Sequence, residues 1–154
     1  MFKRLMAVTA VAVTLLLAGC GNDYGVDQHG EKVASERLDK QWKVINYWAE
    51  WCGPCRIEIP ELNALEKQLQ GQSVGVFGVN FDGLQGKELS DASTAMGITF
   101  TVLAQDPAEQ FDLPRSEALP VTYIIDEKGK VRAQLLGEQT AAGVLAKIKA
   151  LKGA

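Results

Sequence analysis

Two of the three cysteines stand three residues apart, in Trp51-Cys52-Gly53-Pro54-Cys55-Arg56. A disulfide stabilises mainly by restricting the unfolded chain, and a bridge closing so short a loop restricts little, so the pair suits chemistry better than structure. Zinc is the competing use. A structural zinc site normally takes four ligands, and the other candidates are Cys20 and the lone His29, both in the N-terminal segment. Beyond Pro54, the apolar residues Ile59, Leu62, Leu65 and Leu69 recur at helical spacing until Gly71. This predicts an amphipathic helix with both cysteines in its first turn. A cysteine at a helix N-terminus faces unpaired backbone N–H groups and the positive end of the dipole, which favour thiolate over thiol. Cys52 is thereby placed to attack a disulfide. Cys55, three residues on and farther from solvent, is placed to resolve the mixed disulfide that forms. Pro54 rigidifies the turn, Gly53 leaves room beside the attacking sulfur, and Pro60 is expected to kink the helix.

The elements that must hold this turn are readable on either side of it. Val44 to Trp48, rich in β-branched and aromatic residues, predicts a buried strand running into the motif. Ser73 to Phe81 predicts a second, with Gly75 and Gly78 allowing close backbone approach. A weaker helix is expected over Lys87 to Met96 and a short strand over Ile98 to Leu103. Asp106-Pro107 suits a helix start, because aspartate caps and proline fits the first turn. Val121 to Asp126 and Lys130 to Leu136 flank Glu127-Lys128-Gly129 as a hairpin. Thr140 can cap a last helix carrying Val144, Leu145, Ile148 and Leu151 on one side. The order of elements gives an α/β fold, a central mixed β-sheet flanked by helices on both faces.

With 47% hydrophobic and 23% charged residues, the 154-residue chain is neither disordered nor fibrous. Lys3 and Arg4 precede a nearly uncharged run from Leu5 to Ala18, which has the layout of a secretion signal and is short for a membrane span. It ends in Leu17-Ala18-Gly19-Cys20, which resembles a bacterial lipobox; by that resemblance Cys20 is lipidated and becomes the mature N-terminus. The alternative is an ordinary signal cleaved near Ala18 or Gly19. The expected organisation is a signal peptide over 1–19, a lipidated N-terminus and loose tether over 20–30, and one domain over 31–154. Loss of Lys3 and Arg4 with the leader takes the net charge from −3 to −5. Nucleic-acid binding usually calls for a basic patch and is not expected. Membrane attachment would come from acyl chains rather than charge.

Tyr47-Trp48-Ala49-Glu50-Trp51-Cys52-Gly53-Pro54-Cys55 resembles the active-site signature of the thioredoxin superfamily, and Pro60 falls where that family has its kinking proline. Cys55-Arg56-Ile57-Glu58-Ile59-Pro60, and Leu119-Pro120-Val121-Thr122-Tyr123-Ile124-Ile125-Asp126 followed by Gly129, are similar to the secreted TlpA/ResA-like branch, related to the CcmG-type proteins of cytochrome c maturation. The resemblance covers roughly residues 24 to 151. It implies a thioredoxin-like fold, a membrane-anchored thiol:disulfide oxidoreductase acting outside the cytoplasm, and no cofactor beyond a redox-active Cys52–Cys55 disulfide. Pro120 matches the family's cis-proline, and the backbone of Leu119 would pair with an extended substrate segment. Thioredoxin itself has a buried aspartate where this chain has Asn46, an asparagine common in the TlpA/ResA-like branch.

Glu58, on the same helix face as Cys55, then becomes the candidate for proton handling, against the plainer reading of a solvated helix charge. Trp51 is either a lip for substrates or a packing residue; Trp48 is expected in the core and Glu50 on the surface. The implied partners are protein disulfides and thiols, with a DsbD/CcdA-type membrane reductant as electron source, and the protein is expected to act as a monomer. Net reduction is the favoured direction. The alternatives are a disulfide oxidant, a thiol peroxidase, and a non-enzymatic anchored binding or chaperone module. Gly21 after Cys20 resembles the default signal for outer-membrane sorting in enteric-type bacteria.

Overall fold

The computed structural model describes residues 21–153; the expected secretion signal and Cys20 lie outside them. Five strands form one sheet, β1 (Trp42–Trp48), β2 (Val74–Asn80), β3 (Thr101–Leu103), β4 (Val121–Ile125) and β5 (Val131–Leu136), in the order β3-β2-β1-β4-β5. β1 is parallel to β2 and antiparallel to β4, so the sheet is mixed. Every residue of the central β1 is buried, as a strand covered on both faces requires.

Strand alternation sorts the side chains into two cores. On one face Trp42, Val44, Trp48 and Ile124 meet Ile59, Leu62 and Leu65 of α2 (Gly53–Leu69), Leu89 and Ala92 of α3 (Gly86–Ala95), and Val144 and Ile148 of α4 (Ala141–Lys152). On the other, Ile45, Tyr47, Phe77, Val79 and Tyr123 meet Tyr24, Val33, Leu38 and Phe111. Helices thus lie on both faces, but unequally: the second has a single turn, α1 (Glu36–Asp39), plus irregular chain. Lys43 is fully buried on that face, donating to the Asp126 carbonyl at 2.9 Å and lying 4.8 Å from the Phe111 ring centre; burial pushes its pKa down.

Two expectations fail here. The segment 21–30 is not loose: Tyr24 is buried, the Gln28 side chain donates to Phe100 O and accepts from Val102 N, and Asp27 bridges Leu103. Its polar residues satisfy the exposed edge of β3 instead of solvating a tether. Asp106-Pro107 starts a turn and not a helix, because Asp106 Oδ1 accepts from Ala108 N–H two residues on and from the Tyr47 hydroxyl.

Candidate active site

Cys52 and Cys55 are joined by a disulfide at the start of α2. The local chain explains the turn: Cys52 has extended backbone and is the N-cap, its Sγ accepting the Cys55 N–H at 3.2 Å, and Pro54 occupies the first helical turn, where a missing N–H costs nothing. Both cysteines are buried, Cys55 completely. Arg56 donates to the Glu50 carbonyl and closes the loop before the motif. A Cβ on Gly53 would meet nothing, so this position is open to solvent and does not relieve crowding around the sulfur.

Trp51 is 66% exposed and held in place rather than packed away: its ring meets Phe81 edge-on, and its Nε1 donates to the Asp82 carboxylate at 2.9 Å. Trp48 is in the core and Glu50 is exposed, both as expected. Because β4 runs antiparallel to β1, Val121 lies opposite Tyr47, and Pro120 is brought to the end of the sheet that carries the cysteines. The Leu119–Pro120 peptide is cis. Leu119 packs on both cores. Beside Phe81 opens a cleft of about 630 Å³, whose walls include Tyr47, Asp106, Arg115, Val121 and Tyr123.

Glu58 is fully buried, which excludes a solvated surface charge. Its carboxylate accepts from Asn46 Nδ2 at 2.9 Å, from Thr122 Oγ1 at 3.3 Å and from Gln139 N–H at 3.2 Å. Burial nevertheless outweighs these donors and raises its pKa from 4.5 to about 7, with Glu138 adding a smaller push. Thr122 and Gln139 were not foreseen as its partners, since no local pattern marks residues 64 and 81 positions away. Among the described residues, Asn46 Oδ1, Trp48 Nε1 and Asn80 Nδ2 are buried without a hydrogen-bond partner. All three belong to the face that carries α2, so a buried polar seam underlies the motif. The arrangement is able to hold a cysteine thiolate at a helix end, present it beside an aromatic lip, and keep a titratable carboxyl in the same core.

Comparison with known proteins agrees with this architecture. The thiol:disulfide interchange protein HelX of Rhodobacter capsulatus is 30% identical over 118 residues, 73% of this chain and 62% of that one. The thiol-disulfide oxidoreductase ResA of Geobacillus thermodenitrificans is 28% identical over 108 residues, 70% of this chain and 62% of that one. The chain therefore spans just under two thirds of the length of these relatives. The crystal structure of a DsbF homologue from Corynebacterium diphtheriae superposes with a TM-score of 0.68 at 25% identity, over 82% of each chain. The fold is thioredoxin-like, and with residues 10–134 matched by the AhpC/TSA family model, the chain belongs to the AhpC/TSA family.

Proposed function

We propose that this protein is a lipid-anchored, extracytoplasmic thiol:disulfide oxidoreductase that reduces protein disulfides. The observation that carries the reading is the Cys52–Cys55 bridge at the N-terminus of α2, with Cys52 Sγ accepting the Cys55 N–H. In the reduced protein the same N–H and the helix end favour the Cys52 thiolate. That thiolate attacks one sulfur of a substrate disulfide; the Cys52–substrate bond forms, the substrate S–S bond breaks, and one substrate thiolate leaves. Cys55 then gives up its proton and attacks Cys52 Sγ, expelling the second substrate thiolate. The substrate gains two electrons and the protein is left with the bridge seen here.

Glu58, three residues after Cys55 on the helix and raised to about 7, is suited to take the Cys55 proton. Trp51 and Phe81 form the apolar lip, and Leu119 and Pro120 supply the edge against which an extended substrate segment is laid. Lipidation at Cys20 and the electron source, a DsbD/CcdA-type conduit, rest on the resemblance described above. The names of HelX and ResA support exchange chemistry over peroxide reduction.

A glutathione-redox titration tests the direction. The Gly-Pro between the cysteines, with only a modest stabilisation of the Cys52 thiolate by the helix end, predicts a potential nearer the about −270 mV of thioredoxin than the about −120 mV of a strong oxidant, since stronger thiolate stabilisation would favour the reduced pair. A value above about −150 mV would make the protein an oxidant and overturn the assignment.

A further inference from the structure

The segment after Gly21 is pinned to the domain. Asn22 donates to the Asp39 carboxylate through both its backbone N–H (3.1 Å) and its side chain (2.9 Å), and the Tyr24 hydroxyl donates to the same carboxylate at 2.6 Å. Tyr24 itself is buried and stacked on Phe111, and a Cβ on Gly21 would lie 2.3 Å from Ser35 Oγ. In sequence, Cys20 immediately precedes this lock.

The lock sits at one end of the sheet. Asp39 closes α1 three residues before β1 starts at Trp42, and the cysteine turn follows the other end of β1. At about 3.3 Å per residue, the strand alone separates the two ends by about 20 Å. Charge is divided in the same sense. The end with Trp42 carries exposed Arg37, Lys40, Lys128 and Lys130 and, beside the Trp42 ring, Lys152, interspersed with Asp23, Glu36, Asp39 and Glu127. The cysteine end carries Glu50, Asp82, Asp106 and Glu138, with Arg56 and Arg115 among them.

We infer that the α1 end of the domain, with its lysines, rests on the anionic headgroups of the membrane, and that the Cys52–Cys55 turn faces away from it. The inference rests on the lipid anchor proposed above. Anionic headgroups attract the lysine-bearing end and repel the carboxylate-bearing one, so charge and tether favour the same orientation. The partners it selects are disulfides and thiols free in the aqueous compartment, or carried on domains projecting about 20 Å or more from the bilayer. Cysteines at headgroup level are out of reach, so the membrane reductant proposed above must present its thiols on a domain that projects from the bilayer.

The test uses the processed, lipidated protein on phosphatidylethanolamine–phosphatidylglycerol vesicles that carry a headgroup quencher. A genetically encoded fluorophore replaces either Glu36 or Glu50, both exposed. With the two sites about 20 Å apart along the membrane normal, quenching at position 36 should exceed that at position 50. A flexible linker inserted between Gly21 and Asn22, at high salt, should collapse the difference. Equal quenching in the anchored protein, or stronger quenching at position 50, overturns the orientation while leaving the anchor standing. If the unaltered protein and Cys20→Ser both stay in solution, the anchor itself fails, and the orientation with it.

Discussion

Replacing Glu58 by glutamine is expected to make the oxidised protein more stable at neutral pH, and to make it progressively less so as the solution is acidified. The carboxyl titrates near 4.5 in the unfolded chain and near 7 in the fold, where burial penalises its charge. Below pH 4.5 it is protonated in both states and contributes no pH dependence. Between pH 4.5 and 7 unfolding releases a proton, so the folded state loses stability as pH rises, and above 7 the loss levels off. A shift from 4.5 to about 7 corresponds to about 3 kcal/mol. Glutamine keeps the shape without the charge; its single amide oxygen can serve either Asn46 or the Thr122 and Gln139 donors, and the acceptor it loses is a cost that does not vary with pH. The stability difference between Glu58→Gln and the unaltered protein, from urea unfolding, should therefore grow by about 3 kcal/mol between pH 4 and pH 8. A difference that stays constant across this range would mean that Glu58 titrates as an ordinary carboxyl. The same substitution should slow resolution of a mixed disulfide and flatten its pH profile near 7, since no group is left there to take the Cys55 proton.

In the reduced protein, Cys52 is expected to alkylate about 10² times faster than Cys55 at pH 7. Two effects act together. As N-cap of α2, Cys52 Sγ accepts the Cys55 N–H and faces the positive helix end, which should hold its pKa below that of a free thiol. Cys55 is completely buried and one turn inside the helix, where its thiolate is disfavoured and reagents do not reach it. Mass spectrometry of partially alkylated protein separates the two sites. Faster modification of Cys55 would reverse the roles of attacking and resolving sulfur.

What could be read from the sequence was local. The cysteine helix was legible because the spacing from Ile59 to Leu69 and the closing Gly71 agree with the motif, and it runs over Gly53–Leu69. The hairpin and the last helix were legible from strand-forming runs around a glycine turn and from the Thr140 cap, whose hydroxyl accepts Gly143 N–H. The rest depends on contacts that no short window contains. α1 is four residues long, too short for a period to show. The N-terminal segment looked like a tether because its residues are polar, yet Gln28 spends that polarity on the backbone of Phe100 and Val102, more than 70 residues away.

Glu58 illustrates the boundary most clearly. Helical spacing put it on the face of Cys55, but only the tertiary meeting of α2, β1, β4 and the segment before α4 buries it and raises its pKa. Trp51 shows the converse: composition could not distinguish lip from core, and the bond to Asp82 is what keeps the ring exposed.

The central claim is that Cys52 exchanges with disulfides of other proteins and Cys55 completes the exchange. Reacting reduced Cys55→Ala protein with a disulfide-bonded protein substrate tests it most directly. A stable mixed disulfide is expected, with the substrate cysteine attached to Cys52 by peptide mapping, and no adduct when Cys52 is also replaced. Failure of Cys55→Ala to trap any substrate, while its Cys52 remains free and reactive toward alkylating reagents, would contradict it.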